Sequence, residues 1–213
     1  MIEAVIWDFG GVFTASPFEA FAQYERQNQL PADFIRRLNA TNHLDNAWAR
    51  FERAELDLES FDAAFAEEAG TMGHRVQGKD IVALLGGGIR PEMLVALKCV
   101  KTRFKTGCIT NNVPSTAPRP GQERTSRMQE AMALFDCVLE SSKLGVRKPD
   151  PRIYESMCRA LRVPAQACVY LDDLGVNLKP ARAMGMRTIK VESGMQAIAE
   201  LERALGMHLR ADP

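Results

Sequence analysis

The chain has 213 residues, 46% hydrophobic and 25% charged, enough to bury one good core and a small appended unit. Lys plus Arg and Asp plus Glu are both 27, so there is no basic surplus to attract nucleic acid or an anionic membrane, and neither is expected as a partner. The five cysteines (Cys99, Cys108, Cys137, Cys158, Cys168) stand apart like reduced core thiols of a cytoplasmic protein, and neither a leader nor a run of the ~20 apolar residues needed for a membrane span is expected.

Ala4, Val5, Ile6 and Trp7 run straight into Asp8, with Gly10 and Gly11 close behind. This pattern predicts a buried parallel strand that ends in a tight turn. Open α/β sheets bind ligands outside the carboxyl ends of their strands, so Asp8 faces the crevice; the competing reading makes it a helix N-cap. Ser16, Pro17, Phe18 and Glu19 then read as a capping box, and further helices are predicted over 31–39, 45–54 and 59–70. Links from strand to helix usually take about 2–6 residues, so this long helical stretch reads as an insertion. The expected division is a core of residues 1–15 and 91–213, with an all-helical cap over 16–90. Within the cap, His43, Trp48, Arg50 and His74 are either substrate contacts or simply packed and solvated residues. Gly86, Gly87 and Gly88 read as a hinge.

A helix over 91–103 returns the chain to a strand that ends at Thr110, Asn111 and Asn112, placing a hydroxyl and an amide at the same rim as Asp8. Residues 113–127 lack periodicity and read as a mobile loop whose Arg119, Arg124 and Arg127 either meet an anion or stay solvated. A helix near 126–134 and a strand over 137–139 follow. Pro149 forbids helix at Lys148, and Asp150 with Pro151 starts a helix directly afterwards, so Lys148 is fixed at a helix mouth. The strand over 167–171 runs into Asp172 and Asp173. Adjacent buried acids are costly unless a cation sits between them and Asp8, and oxygen-only ligands point to a hard ion, Mg2+. A helix to residue 184, a strand over 187–191 and a helix over 195–205 complete the expectation.

Asp8, Thr110, Lys148 and Asp172-Asp173, in this order at four strand ends, resemble the haloacid dehalogenase superfamily, in the subfamily with a helical cap after the first strand. From Thr110 through Arg182 the chain is similar to the N-terminal phosphatase domain of soluble epoxide hydrolases. The resemblance implies an α/β fold, a Rossmann-like doubly wound parallel sheet with the inserted cap. It also implies phosphoryl transfer from a small phosphorylated substrate through a covalent intermediate on Asp8, in a monomer or homodimer. Mg2+ would be held by Asp8, the Gly10 carbonyl and Asp173, with Asp172 acting through water or orienting Lys148. Thr110, Asn111 and the backbone amides of Phe9 and Gly10 would donate to the phosphoryl oxygens, and Lys148 would offset charge. The family's phosphatases carry a second aspartate, a general acid, where this chain has Gly10; a glycine cannot transfer a proton. Two alternatives follow, a fold kept as a binding or regulatory module and, less favoured, a dehalogenase.

Overall fold

The computed structural model describes residues 1–114 and 123–209, with side chains left out for 123–127. Arg119 and the side chains of Arg124 and Arg127 therefore lie outside the described residues. Five parallel strands, β1 (Ala4–Trp7), β2 (Lys105–Thr110), β3 (Cys137–Glu140), β4 (Cys168–Asp172) and β5 (Arg187–Lys190), form one sheet in the order β3-β2-β1-β4-β5. Trp7 pairs with Cys108 on one side and Leu171 on the other, so β1 is central and every one of its residues is buried.

Strand alternation sorts the two faces. Val5 and Trp7 pack with Met93, Leu97 and Val100 of α6 (Pro91–Lys101) and with Ile198 and Leu201 of α11 (Gly194–Leu205). Ala4 and Ile6 pack with Ile153, Tyr154 and Met157 of α9 (Pro151–Leu161) and Leu178 and Ala181 of α10 (Gly175–Ala183). Helices thus cover both faces, as the continuous apolar run of β1 requires. The chain winds from β1 toward β2 and β3 on one side and then crosses to β4 and β5 on the other. That reversal opens a crevice at the carboxyl ends of β1 and β4.

Between β1 and α6 lie α1 (Phe18–Gln27), α2 (Phe34–Ala40), α3 (Ala47–Glu52), α4 (Leu58–Thr71) and α5 (Gly78–Ala83). They share a separate apolar cluster that includes Phe21, Phe34, Ile35, Phe51, Phe61 and Phe65, joined by Val113 from beyond β2. The two chain segments leading into and out of this module are stitched by an antiparallel bridge between Thr14 and Ile89 and by the Arg90 N–H donating to the Phe13 carbonyl at 2.7 Å. A Cβ on Gly87 would lie 2.7 Å from Ala15, so glycine permits this close pass. Among the described residues no helix is long and apolar enough to cross a membrane.

Four local details depart from expectation. The stretch 113–127 expected to be a loop has Val113 buried in the module's cluster at one end and the start of α7 (Glu123–Leu134) at the other. Pro17 is already helical (φ −67, ψ −11) and takes the N-cap place, so Ser16 lies one residue too early to cap, and its hydroxyl is buried without a partner among the described residues. The six-residue α5 opens on Gly78 and has too few turns for periodicity to reveal it. A short α8 (Ser141–Leu144) ends at Gly145 (φ +65), before the Lys148 turn.

Candidate active site

Asp8 leaves β1 with its N–H bonded to the Leu171 carbonyl at 2.8 Å, which fixes its backbone against β4. Its side chain is held on one oxygen: Oδ1 accepts from the Phe9 N–H at 2.6 Å and meets Lys148 Nζ at 2.7 Å. Oδ2 accepts from no described residue. Asp8 is 7% exposed, and burial pushes its carboxyl well up although the Lys148 ammonium pulls the other way. The chain then turns tightly, with the Phe13 N–H donating to the Phe9 carbonyl at 2.9 Å. Gly11 in that turn has φ +72, and a Cβ there would lie 2.1 Å from Asp173 Oδ2. The close approach that needs a glycine is thus at Gly11. Gly10 is exposed, and a Cβ built on it meets nothing within 4 Å.

Lys148 reaches the site from the turn before α9. Asp150 caps that helix by accepting from the Arg152 N–H at 2.9 Å, with Pro151 in the first turn. The backbone of Lys148 is clamped by the Asn111 side chain, which accepts from the Lys148 N–H at 2.9 Å and donates to the Lys148 carbonyl at 3.1 Å. The amide of Asn111 is thereby oriented onto the Lys148 backbone, with one of its two Nδ2–H donors used there and its main-chain N–H bonded to no described residue. Lys148 is 1% exposed, with Nζ also 2.9 Å from Asp172 Oδ2. Burial alone would lower its pKa; the carboxylates of Asp172 and Asp8 more than reverse this and hold the ammonium above the usual lysine range.

The adjacent acids divide in role. Asp172 is fully buried and accepts on both oxygens: Leu174 N–H at 2.8 Å and Asn177 Nδ2 at 3.1 Å on Oδ1, Lys148, Asn177 and the Tyr170 hydroxyl on Oδ2. Asp173 is half-buried and receives no side-chain donor from the described residues. Burial, and then the Asp172 charge, push its carboxyl up to about 6 against the pull of Lys148 and Arg90. Asp8, Asp172 and Asp173 each place a carboxylate oxygen within 4.8 Å of the others. Three carboxylates converge here and Lys148 is the one ammonium in contact with them among the described residues, so the cluster is short of positive charge. Hard oxygen donors, with Asp8 Oδ2 and the Asp173 carboxylate taking no side-chain donor among the described residues, suit Mg2+.

Thr110 ends β2 at the same rim, 7% exposed, with a hydroxyl free of described partners. Asn112 instead ties the strand end to α8: its side chain accepts from Ser142 Oγ at 2.9 Å and donates to Glu140 at 3.1 Å. Of the four candidates in the helical module, three are engaged elsewhere and one is exposed. Trp48 packs on Phe61 and Phe65 and donates to Glu52, His74 stacks edge-on with Phe34, Arg50 pairs with Glu55 at the surface, and the His43 side chain is exposed. Three site residues have no role assigned from the sequence. Tyr170 and Asn177 hold Asp172, but a tyrosine inside an apolar strand reads as core. Arg90 stands at the N-cap of α6 with a buried Nη1 that lacks a partner among the described residues.

The crevice thus combines a half-tethered carboxylate, a fixed ammonium and an oxygen-lined cluster suited to an ion, at the switch point of a doubly wound sheet. That combination on a doubly wound parallel sheet is the one a hydrolase of the haloacid dehalogenase type carries. Residues 2–185 match the model of the haloacid dehalogenase-like hydrolases, and the chain belongs to that family. It is 32% identical over 225 residues to bifunctional epoxide hydrolase 2 of Sus scrofa, covering 100% of this chain and 40% of that one. It is 30% identical over 208 residues to phosphatase MT3486 of Mycobacterium tuberculosis (strain CDC 1551 / Oshkosh), covering 92% and 89%. The chain thus spans two fifths of the length of the Sus scrofa relative and nearly all of the mycobacterial one. In fold it is similar to HAD family enzyme bt-2542 of Bacteroides thetaiotaomicron, solved in complex with magnesium and inorganic phosphate, with TM-score 0.60 at 19% identity over 91% of this chain and 96% of the other.

Proposed function

We propose that the chain is a Mg2+-dependent phosphatase of small phosphorylated metabolites, with residues 1–15 and 91–213 as its core domain and 16–90 as a helical cap over the crevice. The observation that carries this is the Asp8 carboxylate, tethered on Oδ1 by the Phe9 N–H and Lys148 and accepting on Oδ2 from no described residue, beside Asp173, which takes no side-chain donor among the described residues. Asp8 attacks phosphorus in line; the Asp8 oxygen–phosphorus bond forms as the bond to the leaving group breaks, and water then hydrolyses the aspartyl phosphate. An ammonium has three N–H donors, and Lys148 uses two on Asp8 and Asp172, leaving one for a phosphoryl oxygen. The Thr110 hydroxyl and the main-chain N–H groups of Gly10 and Asn111 complete the cradle. The Phe9 N–H, turned onto Asp8, becomes available only if that carboxylate rotates. Asp8, the Gly10 carbonyl and Asp173 would hold Mg2+, which when bound neutralises phosphoryl charge, while Asp172, with both oxygens taken, orients Lys148.

Gly10 carries no proton, and a general acid is typically worth about 10²- to 10⁴-fold in rate. Favoured substrates are therefore those whose leaving group departs easily, acyl phosphates or anomeric sugar phosphates. A phosphatase screen over a metabolite panel, with Mg2+ and with chelator, tests this. The expected result is Mg2+-dependent release of phosphate, ranked acyl and anomeric above alkyl esters. Absence of turnover across the panel would favour the second reading, a binding or regulatory module, to which the missing acid at Gly10 also speaks. Chelator-insensitive release of halide from a haloacid would instead mark a dehalogenase.

A further inference from the structure

Arg147 is next in the chain to Lys148, yet its side chain runs into the seam between the core and the helical module, where α3 packs against α8. Its Nε donates to Glu52 Oε2 at 2.6 Å and its Nη1 to the His43 carbonyl at 2.8 Å. Glu52, the last residue of α3, accepts from Trp48 Nε1 on its other oxygen at 2.9 Å. The side chains are only 18% and 9% exposed. Trp48 in turn lies against Phe61 and Phe65 of the module's own cluster. On the core side, one peptide bond separates Arg147 from Lys148, whose N–H and C=O are both held by Asn111. A continuous line of contacts therefore runs from the module's aromatic core through Trp48, Glu52 and Arg147 to the ammonium on Asp8.

We infer that Glu52 and Arg147 are positioning residues that dock the helical module onto the Lys148 turn, so that module placement and the approach of Lys148 to Asp8 are set together. This rests on the reading of Lys148 above as a group that meets the phosphoryl substrate. A charged pair suits a seam that must open for substrate entry. Both ends rehydrate on separation, whereas an apolar seam would resist opening, and removing one partner strands the other in a poorly hydrated place.

The test uses the full chain with Glu52→Gln, Arg147→Gln and the double variant, with Arg147→Lys as a milder substitution that keeps the charge and loses the guanidinium fork. Amide hydrogen exchange on the metal-free protein is read first. Arg147→Gln, in the core, is expected to speed exchange about tenfold across the seam in residues 43–53, and Glu52→Gln to do so in residues 144–150, with 58–71 and 4–7 unchanged. Turnover of p-nitrophenyl phosphate with Mg2+ is read second. Each single variant is expected to lower kcat about tenfold, and the double variant no further than the worse single, because both break one contact. Exchange that changes only on the substituted side overturns the inference, as does a cross-seam change that leaves kcat at the parent value. A parent chain inactive on every phosphate overturns the reading of Lys148, while the exchange data still decide whether the pair docks the module.

Discussion

Asp8 and Gly10 stand two positions apart and make opposite demands on substitution. Asp8→Asn keeps an oxygen for the Phe9 N–H and removes the attacking charge. Turnover should fall below detection with the fold intact, checked by a phosphate-release assay beside a thermal melt; retained activity would move the chemistry off this carboxylate. Gly10→Asp tests the missing acid. A Cβ there meets open space, so the substitution should fold. The gain should be largest on alkyl phosphates with basic leaving groups, of order 10²-fold, and small on aryl or acyl phosphates, because a good leaving group departs without a proton. Equal gains on every leaving group, or none, would show that the acid is not what limits the reaction. The residues on which these tests turn are legible in the sequence, since polar side chains directly after apolar runs mark strand ends at a sheet's ligand-binding edge. The roles of Tyr170 and Asn177 are not: Tyr170 reads as core inside its apolar strand, and Asn177, within the matched stretch five residues after Asp172, shows its bond to that carboxylate only once β4 and α10 are in place.

At the scale of elements, the turn after β1 has two glycines in sequence and only one steric need for a glycine. A methyl at Gly10 is free, whereas at Gly11 it would have to share space with the Asp173 carboxylate in a left-handed conformation. Gly11→Ala should therefore destabilise by about 2 kcal/mol through backbone strain alone, and displacing Asp173 should also weaken Mg2+ binding. Denaturant unfolding and calorimetric titration would report the two losses separately, and a loss of stability with ion affinity intact would mean that Asp173 is not a ligand. Legibility at this scale follows length and periodicity. The long α4 and α11 repeat their apolar positions over three turns and are readable, while the Ser193–Gln196 capping box that starts the latter is seen only in the structure. The start of α1 is misread because a serine before a proline looks like a cap whether or not the chain turns helical one residue later.

For the whole molecule, charges sum to zero while the crevice gathers three carboxylates around one lysine, so negative charge concentrates where the chain has least water to screen it. The two-faced sheet is readable from the run before Asp8, but the module's seam with the core is not, since Glu52 and Arg147 are 95 residues apart in an otherwise unremarkable charge pattern. An imbalance buried at the carboxyl edge of the sheet should make the folded state itself a reporter of the ion. A cation that binds only the native protein stabilises it by mass action, by about 2.7 kcal/mol at a hundredfold excess over its Kd, and for a chain of this length that shifts Tm by about 5 to 10 °C. Mg2+ should produce that shift in the parent protein and little of it in Asp173→Asn, which loses the charge of a proposed ligand oxygen. Asp173→Asn should also melt higher than the parent when both are metal-free, because one source of repulsion toward Asp172 and Asp8 is gone. The two effects have opposite signs in one variant, so a general loss of structure cannot imitate them. If metal-free Asp173→Asn melts below the parent, the cluster is held by contacts other than an ion. If Mg2+ stabilises parent and variant alike, the ion binds away from Asp173.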